Sequence, residues 1–336
     1  MKKQICRFLL LPLALALALA GCRGPVSLSQ RAFVRQVGIA RAGAGWQVRL
    51  LAFAADAAAA GEGAAGQTRA LSAEGGGDSL DAALLDAQAQ LGYQPFYGQN
   101  ELLLVERQTA ASALAEVLRF AGSRGLCRPG ALVFACRGGD LPALSAANGA
   151  AATLAALARL DQNGAAPVSE LCRFDLVSAE AVYLLPLLRR EGETLTADTL
   201  LLVRAGGGAL PLTGEEKALA EVLLGASDTL PLAGGTLRQL TLQKQVTRDG
   251  RLLLRLRGTL EAPPGGAAQQ AKSARRLQAV FARLYQRCCE KDGPDPFGFA
   301  WQLKLRNAAA VTALERQKML FTPDRVLLQA ELTVCH

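Results

Sequence analysis

Residues 102–136 read LLLVERQTAASALAEVLRFAGSRGLCRPGALVFAC, and this stretch decides the fold. Leu102 to Val105 is an unbroken apolar run, the pattern of a strand buried on both faces. Thr109 is then expected to cap a helix in which Leu114, Val117, Leu118 and Ala121 share one face, because side chains three and four apart stack on a helix surface. Gly122 and Gly125 stop that helix, and Ala131 to Cys136 is a second short apolar strand. Strand, helix and strand in succession predict a βαβ unit with parallel strands and a right-handed crossover.

Upstream, Asp78 or Ser79 caps a helix whose Leu80, Leu84, Ala87 and Leu91 recur at helical spacing, with Asp81 in the favoured first turn. Trp46 to Phe53 reads as a strand after the turn Gly43-Ala44-Gly45, and the Ala/Gly-rich segment 54–77 reads as a flexible surface loop, with packing of part of it as small-residue helix the alternative. Downstream, a helix is expected over Leu144 to Leu160, broken or bent near Asn148-Gly149, and Ala181 to Leu188 reads as a core element. Leu200 to Val203 is a strand ended by Gly206-Gly207-Gly208, and Thr213 caps a helix through Leu224 with Glu215 and Glu216 in its first turn.

In the last third, Leu240, Leu242 and Val246 face Leu252, Leu254 and Leu256 across Arg248-Asp249-Gly250, an Asp-Gly hairpin signal that turns Arg255 and Arg257 to the other face. From about Ala267 to Cys289 a long helix lines up Leu277, Val280, Phe281, Leu284 and Cys288, and Val326, Leu328, Ala330, Leu332 and Val334 alternate as a closing strand. A helix on an antiparallel sheet accounts for this region. The fold class is therefore α+β, a multi-subdomain mixed α/β chain with mixed and antiparallel sheets flanked by helices. Residues 22–205 form its N-terminal part and 206–336 its C-terminal part.

The first 21 residues read as an address. Lys2, Lys3 and Arg7 precede an apolar run from Phe8 to Ala20 interrupted only by Pro12, shorter than the roughly 20 residues a membrane span needs. Leu19-Ala20-Gly21-Cys22 resembles the bacterial lipobox, where the chain is cut before the cysteine and its thiol carries a diacylglyceryl group. Small residues at Ala20 and Gly21 admit the peptidase, and Cys22 supplies the alkylated sulfur. Two or more acyl chains give a durable anchor, so the mature chain, with a short polar spacer over Gly24 to Gln30, is expected on the outer face of a membrane.

Familiar catalytic sets are missing. The chain has 336 residues, a net charge of +8, eight cysteines and one histidine. That histidine is His336, a poor supplier for a Ser-His-Asp triad, a Cys-His pair or a zinc site. No phosphate loop occurs, and the clusters Gly75-Gly76-Gly77 and Gly206-Gly207-Gly208 lack a dinucleotide fingerprint's spacing, so no cofactor and no metal site is expected. The cysteines besides Cys6 and Cys22 allow several disulfide pairings. Cys127 and Cys136 are the nearest separated pair, but Cys136 ends a strand that carries it away. Cys288-Cys289 reads as one buried residue and one beside it. Asp292 and Asp295, the candidates for paired-carboxylate chemistry, lie in a Gly/Pro-rich segment that reads as a turn. Lys272, Arg275, Arg276, Arg283 and Arg287 mark the outer side of the long helix, with a solvated face the plainer reading and anionic headgroups or an acidic partner the sharper one. The diffuse positive charge does not suit nucleic acid.

With these residues in place, the chain resembles the Ger(x)C family, the lipoprotein C subunit of nutrient germinant receptors in spore-forming bacteria. The resemblance runs from Leu19-Ala20-Gly21-Cys22 through Val37-Gly38-Ile39-Ala40, Ser79-Leu80-Asp81-Ala82-Ala83 and Gly98-Gln99-Asn100-Glu101-Leu102-Leu103-Leu104-Val105. It ends at the long helix leading into Asp295-Pro296-Phe297-Gly298-Phe299 and the final alternating strand. It implies three packed α/β-type subdomains, no enzymatic activity, and assembly with membrane-embedded A and B subunits at the outer surface of the spore inner membrane. A direct small-molecule ligand stays open. The competing expectation is a solute-binding lipoprotein that serves a transporter, which would show a two-lobed cleft.

Overall fold

The computed structural model describes residues 30–55, 68–148, 150–162, 171, 174, 182–192, 194–204, 206–247, 250–261, 266–292, 295–304, 308, 311–312 and 321–335. Three strands open the fold: β1 (Arg31–Ala42), β2 (Gly45–Ala55) and β3 (Thr68–Gly77). They pair as an antiparallel meander, with Gly43 at φ 61° in the first turn. Two of these strands depart from the sequence reading. Val37-Gly38-Ile39-Ala40, ahead of the first strand expected at Trp46, lies inside β1, and residues 68–77 are a strand and not a loop.

The glycines of β3 have a packing reason. Helix α1 (Leu80–Leu91) lies directly on this strand. A Cβ on Gly75 would sit 2.1 Å from the Ala87 nitrogen and 2.3 Å from the Ala83 oxygen, and one on Gly77 would meet Ala82 and Ala83 at 2.7 Å. Only glycine admits so close an approach of helix to strand. Ser79 caps α1 as expected, its hydroxyl accepting from the Ala82 N–H at 3.1 Å, and Gly92 ends it at φ 69°.

After β4 (Gln94–Phe96), the predicted βαβ unit follows as β5 (Leu102–Glu106), α2 (Arg107–Ser123) and β6 (Leu132–Cys136), and β5 and β6 pair in parallel. The cap differs from expectation. Glu106 accepts from both the Thr109 N–H at 2.8 Å and the Thr109 hydroxyl at 3.0 Å, so the carboxylate caps and Thr109 sits one turn in. The helix is kinked at Ala113 (φ −147°). Its Ala111 carbonyl accepts from the Gly208 N–H at 2.7 Å, an outside donor drawing on the helical ladder, which is a recognised cause of bending.

The helix expected over Leu144 to Leu160 is broken as anticipated, into α3 (Leu141–Leu144) and α4 (Ala150–Gln162). Then come β7 (Val182–Glu191), β8 (Thr194–Arg204) and β9 (Ala209–Leu212). Gly207 and Gly208 turn between the last two at φ 100° and 96°, a backbone region that costs glycine nothing. Among the described residues these strands form a nine-stranded mixed sheet ordered β3-β2-β1-β5-β6-β7-β8-β9, with β4 also on β1. Val37, Ile39, Leu103, Val105, Val133 and Ala135 pack under α1 and α2, while Leu104, Phe134, Cys136 and Leu188 pack on the other face with Leu141, Leu144 and Leu157. Alternation along β5 and β6 feeds both cores.

The second sheet has the order β10 (Leu230–Leu232), β11 (Gly235–Val246), β12 (Leu252–Glu261) and β13 (Val326–Cys335). The predicted hairpin is β11–β12, with Leu242 opposite Leu256 and Val246 opposite Leu252; Arg248 and Asp249 lie outside the described residues. Helices α5 (Gly214–Leu223), α6 (Gly266–Asp292) and α7 (Phe299–Lys304) cover it. Thr213 precedes α5 in extended conformation but makes no side-chain cap bond. The stripe Leu277, Val280, Phe281, Leu284 and Cys288 is buried as predicted. The closing strand corrects the antiparallel expectation: β13 pairs with β12 in parallel, from Leu252 opposite Val326 to Glu261 opposite Cys335. A parallel return needs a crossover, and α6 with α7 supplies it. Leu200, Leu202, Leu210 and Leu212 of the first sheet join this core, so the two sheets share apolar packing.

Candidate functional site

Cys22, the predicted lipidation site, lies outside the described residues, as do Lys2, Lys3 and Arg7. The remaining candidates each resolve into a physical role. Asp295 is buried, and its two carboxylate oxygens accept from the Phe299 and Ala300 N–H groups at 2.8 Å each, so it caps α7. The backbone reverses there at φ 60°. The Asp292 side chain lies outside the described residues.

Phe297 and Phe299, which follow Asp295, stack with Tyr285 of α6 at ring-centroid distances of 6.0 and 6.4 Å. The buried Tyr285 hydroxyl donates to the Phe321 carbonyl at 2.7 Å, and burial pushes its ionisation upward. The segment 295–299 is thus the aromatic plug of the second core.

Cys127 and Cys136 carry free thiols and are not joined to each other. Burial pushes the Cys127 thiol up to about 12 despite the hydrogen bond from Asn100. Burial raises Cys136 further, with the charges of Glu106 and Asp140 adding to it. A thiol held protonated is a poor nucleophile. Among the described residues no group of three or more His, Cys, Asp or Glu is arranged to hold a metal ion.

The basic series on α6 divides in two. Arg276 pairs with Glu215 at 3.0 Å and Arg287 with Glu216 at 2.6 Å, tying α6 to the first turn of α5. Lys272, Arg275 and Arg283 face outward. Burial works to raise the Glu215 carboxyl, but the Ala233 N–H and the guanidinium of Arg276, with Arg283 nearby, hold it below its ordinary value. The sequence reading treated all five cations as one face and missed that partners on α5 claim two.

Sequence reasoning also missed the buried polar residues that position loops. Asn100 donates to the Leu126 carbonyl at 2.6 Å and to the Cys127 sulfur at 3.0 Å, and accepts from the Leu102 N–H at 3.2 Å. It fixes the start of β5 against the end of α2. Gln36 in mid-β1 donates to the Leu144 carbonyl at 3.1 Å and the Ser145 hydroxyl at 2.9 Å, pinning α3 on the sheet. An open groove of about 530 Å³ runs between the C-terminal end of α5 and β11, where Asp228, Leu240, Leu242 and Lys244 line it. No described helix is long and apolar enough to cross a membrane.

The span from β1 to α3, with its Ser79 cap and its Asn100-braced strand, is where a likeness to known proteins is found. Residues 25–148 match the family model for the spore germination protein N-terminal domain. This spore germination domain match includes the βαβ unit, the glycine-seated helix α1 and both buried polar braces. A solved structure described as "Crystal Structure of the GerBC protein" is similar over 89% of this chain and 96% of that one, at 9% identity and a TM-score of 0.46. No curated protein matches the chain in sequence.

Proposed function

We propose that this chain is a non-catalytic, lipid-anchored subunit of a nutrient germinant receptor, acting in spore germination through assembly with membrane-embedded A and B subunits. The observation that carries the reading is the match of residues 25–148 to the spore germination protein N-terminal domain, beginning directly after the lipobox-like Leu19-Ala20-Gly21-Cys22. Residues 1–21 act as the signal peptide, Cys22 takes the diacylglyceryl and palmitoyl chains, and residues 22–205 and 206–336 form the two parts of the body. The anchor places the body on the extracytoplasmic face, at the spore inner membrane. The protonated thiols and the capping role of Asp295 support a binding role over a chemical one.

Two measurements test this. Mass spectrometry of the mature N-terminus should find an acylated Cys22. Spores carrying Cys22→Ala should respond weakly to nutrients. An unmodified thiol, or normal germination in a strain with no second copy of the gene, overturns the proposal.

A further inference from the structure

The chain enters the described body at Gln30 and passes straight into β1. Arg31 lies nine residue steps after Cys22, which even fully extended reach no more than about 32 Å. A body of this length is about 50 Å across by the usual scaling of compact chains. An anchor at Cys22 therefore confines one end of the molecule, the start of β1, to the neighbourhood of the bilayer.

That end carries the chemistry of a membrane interface. The short strand β4 pairs beside the start of β1, with Arg31 opposite Gln94 and Phe33 opposite Phe96. Phe96 is 37% exposed, one of three large apolar side chains among the described residues that are exposed. Its ring is held in place. Phe33 meets it edge-on at 5.7 Å, the Arg31 guanidinium stacks over it at 5.7 Å, and its tip lies so near Gly98 that a Cβ there would come within 2.7 Å. Tyr93 and Tyr97, near it in sequence, are half-buried and pack against the core beneath, so Phe96 is the ring this stretch leaves exposed. At the adjoining start of β5, Arg35 and Arg128 share Glu101 at 2.8 and 3.3 Å, so the cations outnumber the carboxylate. Phenylalanine beside basic side chains is a combination that lies in the headgroup region of a bilayer, and anionic lipid draws such cations.

We infer that Phe96, with Arg31 stacked on it, is a membrane-contact site that seats the N-terminal end of the body on an anionic lipid surface. The inference rests on the anchor proposed above. The occupant is the bilayer because the tether keeps this end of the body within about 32 Å of it. The anchor alone holds the chain at the membrane; the contact at Phe96 fixes which way the body faces.

The test uses the full lipidated chain on vesicles of phosphatidylcholine with and without phosphatidylglycerol, some carrying brominated acyl chains. In the Phe96→Trp variant the added fluorescence should shift to the blue and be quenched by brominated lipid, more so with phosphatidylglycerol present. The Leu327→Trp variant, on β13 in the other sheet, should be unaffected. Hydrogen exchange of residues 92–100 in the unaltered chain should slow on the same vesicles. A chain that stays with the vesicles while Phe96→Trp fluorescence is unquenched and residues 92–100 exchange as in detergent overturns the contact and spares the anchor. A chain that fails to sediment with vesicles overturns the anchor and the contact together.

Discussion

Tyr285 of α6 donates its buried hydroxyl to the carbonyl of Phe321, 36 residues further on and just ahead of β13. The bond joins the crossover helix to the strand it delivers. Removing the hydroxyl alone, in Tyr285→Phe, leaves that carbonyl unpaired in an apolar setting and should cost about 1–3 kcal/mol. Tyr285→Ala also removes the ring stacked on Phe281, Phe297 and Phe299 and should cost about 3–5 kcal/mol. Urea unfolding of both variants checks the order.

Gly75→Ala should destabilise by about 1–3 kcal/mol or more, because the new methyl group overlaps the backbone of α1 and the helix must lift. Gly76→Ala is its internal control, since the nearest atom to a Cβ there is the Trp46 oxygen at 3.9 Å. Thermal unfolding should separate the two neighbours clearly; equal midpoints would mean that α1 is not seated on the strand.

Asp295→Ala removes the acceptor for two buried N–H groups at the start of α7. A helix cap is worth about 0.5–2 kcal/mol, and the loss should fall at the upper end because both oxygens are used. Asp295→Asn, which keeps one acceptor, should fall between wild type and Ala in denaturant midpoint.

The Glu215 carboxyl, held below its ordinary value by Ala233 and Arg276, links stability to acid. A carboxyl whose folded value lies below its unfolded one, about 4.3, contributes stability above the unfolded value and loses that contribution as the pH falls through the folded one. Wild type should therefore lose stability on acidification below about pH 4 more steeply than Glu215→Gln, as read from urea midpoints across that range. Parallel slopes would show that the α5–α6 pair carries no pH dependence.

Cys127 should resist alkylation in the folded chain at mildly alkaline pH and react once the chain is unfolded, because burial raises its thiol to about 12. The linkage has the opposite sense to that of Glu215. A group that stays protonated longer when folded adds stability below its unfolded value, and that gain fades as the pH climbs above it. Labelling with iodoacetamide, with and without urea, is the measurement.

Periodicity carried most of the fold. The stripe on α6, the β11–β12 hairpin and the βαβ unit are visible because alternate or every-third-and-fourth residues are apolar, and burial on one face leaves that mark. What stayed hidden depends on partners far away in the chain. The strand over 68–77 is rich in Ala and Gly, which reads as loop until α1 is seen to need the missing side chains. The parallel sense of β13 is not encoded in its alternation, since either direction buries the same leucines. Gln36 and Asn100 are polar and look exposed, yet their partners at Leu144, Ser145 and Leu126 bury them. Phe96 is the converse case, an aromatic whose exposure no spacing announces.

The parallel pairing of β12 with β13 also sets an order of assembly. The ribosome makes β13 after the hairpin, α6 and α7, so one margin of β12 stays bare through all that synthesis, and closure must wait for a long-range contact, which is slow to form. Gln278 and Gln270 then take up the Leu328 and Leu332 carbonyls of the arriving strand. A nonsense codon just past Arg325 would remove β13 and leave β12 as a raw edge open to neighbouring chains.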